Sequence, residues 1–201
     1  QPRMLSGHFQ GRVLSMLSKI IRPKYILEIG TYTGYAALCL AEGMQENGTL
    51  DTIDINEELV TIQNKYFEAS PWKERLQLFH ADVKQFSFTK KYDLIISNPP
   101  FYEGDLKSDV ANRNVAMHDA GLKLDELLKV VDANLTDEGS FAVLLPFQRA
   151  AHIIALTENV NLHLQTHVQV RQTVKHGFFR SMLLFSRKKT GSSVVEPFRL
   201  E

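Results

Sequence analysis

The sequence predicts a single α/β domain built on a doubly wound, mostly parallel sheet. Short apolar runs alternate along the chain with amphipathic segments of helical length, a pattern typical of β-α-β units. The last two apolar runs are separated only by a short turn at His176-Gly177, which predicts an antiparallel hairpin near the C-terminus. We therefore expect seven strands, the final two of which form that hairpin.

The first elements are separated by a proline. Residues 7–21 carry apolar side chains at helical spacing, and Pro23 predicts where this helix ends. The apolar run 25–29 then reads as a short buried strand. A helix over 35–45 and a strand over 49–54 complete the first β-α-β unit.

The middle elements follow a clear capping signal. Asn56 is a favourable N-cap, and the acidic residues after it suit the first turn of a helix over 57–69. Residues 75–80 alternate between apolar and polar side chains, as a half-buried strand does. The apolar run 92–97 is predicted as the next strand.

The C-terminal elements continue the same alternation. Residues 124–135 form an amphipathic pattern of helical period, and 139–145 is an apolar run that ends at a proline. A helix is predicted over 148–157. The hairpin strands are then expected over 162–170 and 178–186.

The length favours one domain. A chain of 201 residues lies within the range of a single domain that can bury a core without disulfides, so we expect residues 1–201 to fold as one unit. The segment 98–121 is the one long irregular stretch, and such loops in compact domains usually carry function or are disordered.

The distribution of charge is more informative than its sum. The formal net charge is zero, which argues against a general nucleic-acid binder. Between Glu158 and Glu196, however, there is no acidic residue, and this stretch contains Arg171, Lys175 and Arg180 followed by three more cations at 187–189. Two interpretations stand: a solvated edge, or a patch that contacts phosphates.

The cysteine count and hydropathy exclude several classes. Cys39 is the single cysteine and lies among apolar residues, so an intrachain disulfide or a zinc site of several thiolates is excluded. No apolar run is long enough to span a bilayer, and no secretory leader opens the sequence. We expect a cytoplasmic protein.

A glycine-rich turn follows the first predicted strand. Gly30 and Gly34 flank Thr31 just after Glu28, and they allow a tight turn with close approach of a ligand to backbone amides. The spacing is not that of the G-x-G-x-x-G dinucleotide motif. A glycine turn alone is weak evidence, because glycine is common where strands lead into helices.

Two further strand ends carry carboxylates. Asp54 ends the second strand beside Ile55, where a carboxylate can accept hydrogen bonds from ribose hydroxyls. Asp82 and Val83 follow the third strand, where a side chain or amide can meet an adenine edge. The structural alternatives are a helix cap for Asp54 and a turn residue for Asp82.

These three strand ends in order resemble the Rossmann-like class I S-adenosylmethionine-dependent methyltransferases. The resemblance implies that S-adenosyl-L-methionine is the cofactor. It implies that Glu28, Gly30, Thr31 and Gly34 line the methionine side. It also places Asp54 and Ile55 at the ribose, and Asp82 and Val83 at the adenine.

The tetrapeptide Asn98-Pro99-Pro100-Phe101 follows the fourth predicted strand. The Asn98 side-chain oxygen and the Pro99 carbonyl can accept both hydrogens of an exocyclic amine, and two prolines hold these acceptors in place. Phe101 or Tyr102 offers a face for stacking a base. The alternative is a rigid turn. The tetrapeptide resembles the N-P-P-[FY] signature of amino-group methyltransferases, in which the asparagine also lies beside the cofactor.

The surrounding sequence narrows the resemblance. Residues 70–190, including Ser70-Pro71-Trp72 and Leu144-Leu145-Pro146, are similar to bacterial tRNA (adenine-N6)-methyltransferases that act beside the anticodon of a valine tRNA. This implies an anticodon stem-loop as substrate. By analogy, Arg113 and His118 lie in a loop closing over it; the alternative is that they are ordinary surface residues. The basic stretch with Arg171, Lys175 and Arg180 suits such a partner.

The first 70 residues resemble a different family. Glu28-Ile29-Gly30-Thr31-Tyr32-Thr33-Gly34-Tyr35 is similar to bacterial catechol-type O-methyltransferases, whose N-terminal segment, here 1–22, helps form the substrate mouth. Such enzymes bind a divalent metal through carboxylates, one of them at the end of the fourth strand, where this chain has Ser97-Asn98. The chain therefore resembles a mosaic of the two families, and N-methylation without a metal is the favoured interpretation. O-methylation and cofactor binding without turnover are the alternatives.

Overall fold

The computed structural model describes residues 7–99, 122–189, 191 and 193–200. Over this part of the chain, eight strands form one sheet in the order β3-β2-β1-β4-β5-β7-β6-β8. The strands are β1 Tyr25–Ile29, β2 Thr49–Asp54, β3 Leu76–His80, β4 Tyr92–Ser97, β5 Leu135–Pro146, β6 His163–Arg171, β7 Arg180–Ser186 and β8 Val194–Arg199. The helices described are α1 His8–Ile21, α2 Tyr35–Ala41, α3 Val60–Glu68, α4 Leu124–Asn134 and α5 Ala150–Leu156.

The sheet is parallel from β3 to β5 and then reverses. Strands β1 to β5 pair in parallel, whereas β7 lies antiparallel between β5 and β6. The predicted C-terminal hairpin is therefore confirmed, as is the mostly parallel α/β sheet. The strand order reverses at β1 and β4, where open α/β sheets bind their ligands.

The eighth strand was not predicted from the sequence. Strand β8 pairs in parallel with β6, and every one of its residues is exposed. It also contains Pro197, which suits an edge strand because proline cannot donate to a sheet ladder. Without a buried face, β8 lacks the alternating pattern that identified the other strands.

Both faces of the sheet are buried, as a doubly wound fold requires. Neighbouring residues in β1 serve opposite faces: Ile26 packs with α2 and the inner side of α1, whereas Leu27 packs with α4 and α5. Both side chains are fully buried. This is why β1 has adjacent apolar residues rather than an alternating pattern, with Glu28 as its one charged side chain.

The N-terminal helix is fixed closely to α2. Ser18 of α1 donates to the Leu40 carbonyl at 2.6 Å, and Glu42 accepts hydrogen bonds from Arg12, Ser15 and Lys19. A Cβ at Gly43 would lie 2.2 Å from the Lys19 backbone nitrogen, so only glycine permits this approach. The role of 1–22 at a substrate mouth stays a prediction.

Candidate functional site

The carboxyl ends of three neighbouring strands bring predicted site residues together. Ile29 of β1 is in register with Ile53 of β2 on one side and with Ser97 of β4 on the other. Gly30 donates its backbone N–H to the Ile53 carbonyl at 2.9 Å, and the Ser97 hydroxyl donates to the Ile29 carbonyl at 3.0 Å. The residues that follow these pairs, Gly30, Asp54 and Asn98, therefore leave the sheet at the same edge.

The loop after β1 has a run of left-handed backbone. Gly30 has φ +98°, Gly34 has φ +82°, and Tyr32 between them has φ +48°. A Cβ at Gly34 would lie 2.7 Å from the Phe67 ring, whereas a Cβ at Gly30 would meet open space. Gly30 is therefore required by its conformation and lies at an open edge where a ligand can approach the backbone.

Two side chains, one at the end of β2 and one on α3, hold Tyr32 in its unusual conformation. The Asp54 carboxylate accepts the Tyr32 backbone N–H at 2.9 Å, and the Gln63 amide donates to the Tyr32 carbonyl at 2.6 Å. Gln63 is fully buried on α3, and its Oε1 has no hydrogen-bond partner in the described part of the chain. The sequence reasoning missed Gln63; its only signal was a polar residue on the inner face of a helix.

Asp54 keeps capacity for a ligand. Its second carboxylate oxygen accepts the Asn56 backbone N–H at 2.9 Å, and the side chain is half-buried. An ionised carboxylate offers about four acceptor positions, so each oxygen can take a further hydroxyl. Asn56 caps the 3-10 turn Glu57–Leu59 that leads into α3, because its side chain accepts the Glu58 N–H at 3.0 Å. The capping alternative for Asp54 is therefore wrong. Ile55 beside it is 65% exposed at the same edge.

Glu28 lies beneath the loop and is 4% exposed. Thr52 donates its hydroxyl to the Glu28 carboxyl at 2.6 Å, and the Thr52 and Thr31 hydroxyls lie 2.6 Å apart. Burial raises the pKa of Glu28 to about 8, so the carboxyl is mostly protonated at neutral pH. Thr31 is buried as well, so the side chains of Glu28, Thr52 and Thr31 support the loop from below.

Asp82 has the geometry of a turn residue. Its carboxylate accepts the Lys84 backbone N–H at 3.0 Å, and its carbonyl accepts the Gln85 N–H at 3.0 Å. Val83 is buried against the sheet. The turn still places both residues just beyond β3, one strand away from Asp54, because Asp54 is in register with His80.

The tetrapeptide is described only in part. Asn98 is exposed and Pro99 is buried immediately after β4. The remaining predicted residues of this region lie outside the described residues: Pro100, Phe101, Tyr102, Arg113 and His118.

The basic stretch divides between opposite ends of the hairpin. Arg171 ends β6 and Arg180 begins β7, so these residues and Lys175 in the turn lie at the carboxyl edge. Arg187 and Lys188 follow β7 at the other edge. There Arg187 pairs with Asp132 at 2.7 Å, and Lys188 pairs with Glu138. Only the first group can serve a site at the carboxyl edge, so the interpretation of 171–189 as one continuous patch is wrong.

No metal centre is evident in the described ranges, where no three His, Cys, Asp or Glu side chains are grouped to hold an ion. Acidic residues of segment 98–121 lie outside these ranges. None of the helices described is long and apolar enough to cross a membrane.

Comparison with known proteins places the chain in two overlapping groups. A sequence model of the O-methyltransferase family matches residues 1–137. The tRNA1(Val) (adenine(37)-N6)-methyltransferase of Flavobacterium johnsoniae is 34% identical over 181 residues, covering 89% of this chain and 77% of the relative. The enzyme of the same name from Flavobacterium psychrophilum is 32% identical, covering 83% of this chain and 72% of that enzyme.

Solved structures agree on the fold. The O-methyltransferase from Bacillus cereus, in complex with SAH, superposes with a TM-score of 0.64 at 16% identity, covering 90% of this chain and 82% of that one. The O-methyltransferase TomG from Streptomyces achromogenes, in complex with SAM, superposes with a TM-score of 0.64 at 16% identity, covering 93% of this chain and 83% of that one.

The fold, the family match and the relatives together identify a class I S-adenosylmethionine-dependent methyltransferase. Within that class, the chain belongs to the family of the bacterial tRNA1(Val) (adenine(37)-N6)-methyltransferases, and its first 137 residues also match the O-methyltransferase family. The mosaic inferred from the sequence is thereby confirmed.

Proposed function

We propose that this protein transfers a methyl group from S-adenosyl-L-methionine to the exocyclic N6 amine of an adenine in tRNA, next to the anticodon. The observation that carries the proposal is the position of Asn98-Pro99. They follow β4 directly, and β4 is held to the glycine loop strand by the Ser97–Ile29 hydrogen bond of 3.0 Å. The identity to the Flavobacterium enzymes supports the choice of substrate.

The residues at the strand ends suit the cofactor. Asp54 has spare acceptor positions for ribose hydroxyls, and the open, left-handed Gly30 allows backbone amides to approach the methionine moiety. Ile55 offers an exposed apolar side chain to the nucleoside, and we assign the adenine to the Asp82-Val83 turn. When bound, S-adenosylmethionine supplies an electrophilic methyl group.

Asn98 and Pro99 act on the substrate amine. The adenine N6 lone pair is delocalised into the ring, so the amine is a weak nucleophile. The Asn98 Oδ1 and the Pro99 carbonyl accept its two N–H bonds and direct the lone pair towards the methyl donor. Pro100 keeps these acceptors rigid, and Phe101 stacks the base. No strong base is needed, because the methylated nitrogen readily loses a proton.

The target base suits this arrangement. A base in the anticodon loop is unpaired, so bringing it into a pocket costs less than opening a duplex. Tyr102, Arg113 and His118 are assigned to the substrate side of the pocket, and no metal takes part. A tRNA-modifying enzyme works where tRNA is processed, so we assign the protein to the cytoplasm.

A second candidate is metal-dependent O-methylation of a small diol, which the family match over residues 1–137 favours. Such chemistry uses carboxylates at the end of β4 to hold the metal. In the part of the chain described, that position is Ser97-Asn98, which offers no carboxylate. This difference in donor groups makes N-methylation the preferred function.

The proposal is tested with a synthetic anticodon stem-loop RNA that carries adenine at the target position. A matched RNA carries purine riboside there, which lacks only the exocyclic amine. We expect nucleoside analysis to find N6-methyladenine in the first RNA and no methyl transfer to the second. Equal transfer to both RNAs would place the methyl group elsewhere and contradict the assignment.

A further inference from the structure

Cations and aromatic rings lie together at the turn between β6 and β7, residues 171–180, here named the hairpin tip. The Arg171 guanidinium lies 5.4 Å from the centre of the Phe178 ring, and the Arg180 guanidinium lies 5.8 Å from that of Phe179. Phe179 is 42% exposed, and Lys175 is exposed in the turn between the two pairs. No acidic residue occurs within the hairpin tip.

The backbone of Phe179, which carries the exposed ring, is fixed by hydrogen bonds. Phe179 donates its N–H to the Val170 carbonyl at 2.9 Å and accepts the Phe147 N–H at 3.2 Å, so it is bound to both neighbouring strand ends. Thr173 closes the turn through its hydroxyl, which lies 2.8 Å from His176 Nδ1. An exposed aromatic ring on a fixed backbone loses little conformational freedom when a partner stacks on it.

The Arg171 guanidinium at the tip is supported by packed aromatic rings. Phe178 packs against Phe147 with ring centres 5.3 Å apart, and this pair supports the Arg171 guanidinium. Arg171 Nε is buried without a hydrogen-bond partner in the described part of the chain. Strand register places Arg199 of β8 beside Arg171, which adds a further cation to the same edge.

The tip lies within reach of the proposed methylation site. Arg180 is in register with Pro146 at the end of β5, and β5 also pairs with β4, which leads into Asn98. Two strand spacings, roughly 10 Å, separate β4 from β7. A nucleotide chain with one base at Asn98 can therefore bring a neighbouring nucleotide to the tip.

We propose that the hairpin tip is a binding surface for unpaired RNA, on which Phe179 stacks a base flanking the methylated adenine while Arg171 and Lys175 contact its phosphates. Aromatic rings interleaved with cations are the features that bind single-stranded nucleic acid, because every base has a face that can stack. An acidic protein partner would satisfy the cations but leave the exposed ring unexplained. The inference rests on the proposed function and adds a second contact to it.

The test measures binding of the labelled anticodon stem-loop RNA to the full chain. Phe179→Ala should weaken binding roughly 5- to 150-fold, the loss expected for one stacked base, whereas Phe179→Tyr should bind like the original protein. Tyr66→Ala is the matched control, because Tyr66 is 49% exposed and has Lys65 5.9 Å from its ring centre on α3. We expect that control to bind normally.

The cations are tested through the salt dependence of the same binding. Arg171→Ala and Lys175→Ala should each reduce the slope of log affinity against log salt by about one, as expected when one phosphate contact is lost. Lys129→Ala, which removes an exposed cation of α4, should leave the slope unchanged.

Methyl transfer by the unaltered protein separates the two proposals. If it methylates the RNA and Phe179→Ala binds as tightly as Tyr66→Ala, the stacking surface is refuted while the proposed function stands. If the unaltered protein transfers no methyl group but Phe179→Ala still binds the RNA more weakly than Tyr66→Ala does, the proposed function is overturned while the stacking surface stands. If polyglutamate competes with RNA equally well for the original and Phe179→Ala proteins, charge alone explains the tip, and the stacking proposal is overturned.

Discussion

The backbone N–H of Tyr32 donates to the carboxylate of Asp54 at 2.9 Å, joining the loop after β1 to the end of β2. Tyr32 has a left-handed φ of +48°, which is costly for a residue with a side chain. Asp54 therefore stabilises the strained loop, and in the proposed function it also accepts the ribose hydroxyls.

Asp54→Ala should weaken S-adenosylmethionine binding strongly. The change removes the proposed ribose acceptor and also the hydrogen bond from the Tyr32 N–H to Asp54. Losing one such hydrogen bond costs about 1–3 kcal/mol of free energy. Isothermal titration calorimetry measures this affinity. Glu57→Ala, at an exposed residue of the following turn, should bind the cofactor normally; similar losses in both proteins would contradict the assignment.

Gln63→Leu should loosen the same loop from the other side. The substitution removes the donor to the Tyr32 carbonyl, which is worth about 1 kcal/mol, while roughly preserving the buried volume. We expect a modest loss of cofactor affinity and a lower melting temperature. Asn64→Ala, on the exposed face of α3, is the control. An unchanged cofactor affinity in Gln63→Leu would remove Gln63 from the site.

The buried Glu28 makes stability depend on pH. Its folded pKa of about 8 exceeds the ordinary value of 4.5, so the folded state holds a proton that the unfolded state releases between these values. The stabilisation of the folded state by this proton is therefore complete below pH 4.5 and is lost as pH rises towards 8. We expect the free energy of unfolding of the original protein, relative to Glu28→Gln, to fall across this window.

Chemical denaturation at pH 5 to 9 measures that difference. Above about pH 8 the two curves should run parallel, because Glu28 is then ionised in both states. A constant difference over the whole range would mean that Glu28 is ionised when folded.

Asn98→Ala should reduce turnover with little change in cofactor affinity. It removes one of two acceptors that orient the substrate amine, and loss of one preorganised polar group commonly costs about 10²- to 10³-fold in kcat. Asn98→Asp keeps an acceptor oxygen and should retain more activity. Single-turnover methyl transfer separates this effect from binding. A collapse of cofactor affinity with normal residual turnover would make Asn98 structural.

Arg187→Ala should destabilise the fold and leave RNA binding unchanged. Arg187 is 15% exposed and binds both the carboxylate and the carbonyl of Asp132, so its loss should cost roughly 1–3 kcal/mol. Thermal unfolding and RNA titration check the two effects. A loss of RNA affinity at unchanged stability would mean that Arg187 contacts the RNA rather than stabilising the fold.

The sequence predicted the sheet well because burial leaves a direct pattern. Strand β1 is mostly apolar, since both of its faces are covered, and Gly30 and Asp54 mark strand ends that any parallel sheet brings to one edge. Strand β8 escaped prediction because no face of it is buried. Its exposed residues resemble a polar tail.

The site was harder to predict where tertiary contacts decide the role of a residue. No acidic residue separates the cations from Arg171 to Lys189 in the sequence, but strand β7 carries Arg180 and Arg187 to opposite edges of the sheet. Gln63 is similar, because its bond to Tyr32 spans 31 residues and depends on how α3 packs. Local sequence patterns do not contain such contacts.

The central claim is N-methylation of tRNA, and the most direct measurement is the transfer of labelled methyl groups by the unaltered protein. Unmodified tRNA and a catechol are offered separately, each with and without a chelator. The account predicts N6-methyladenine in tRNA, formed at the same rate in the presence of chelator. Catechol methylation that the chelator abolishes, with tRNA left unlabelled, would contradict it.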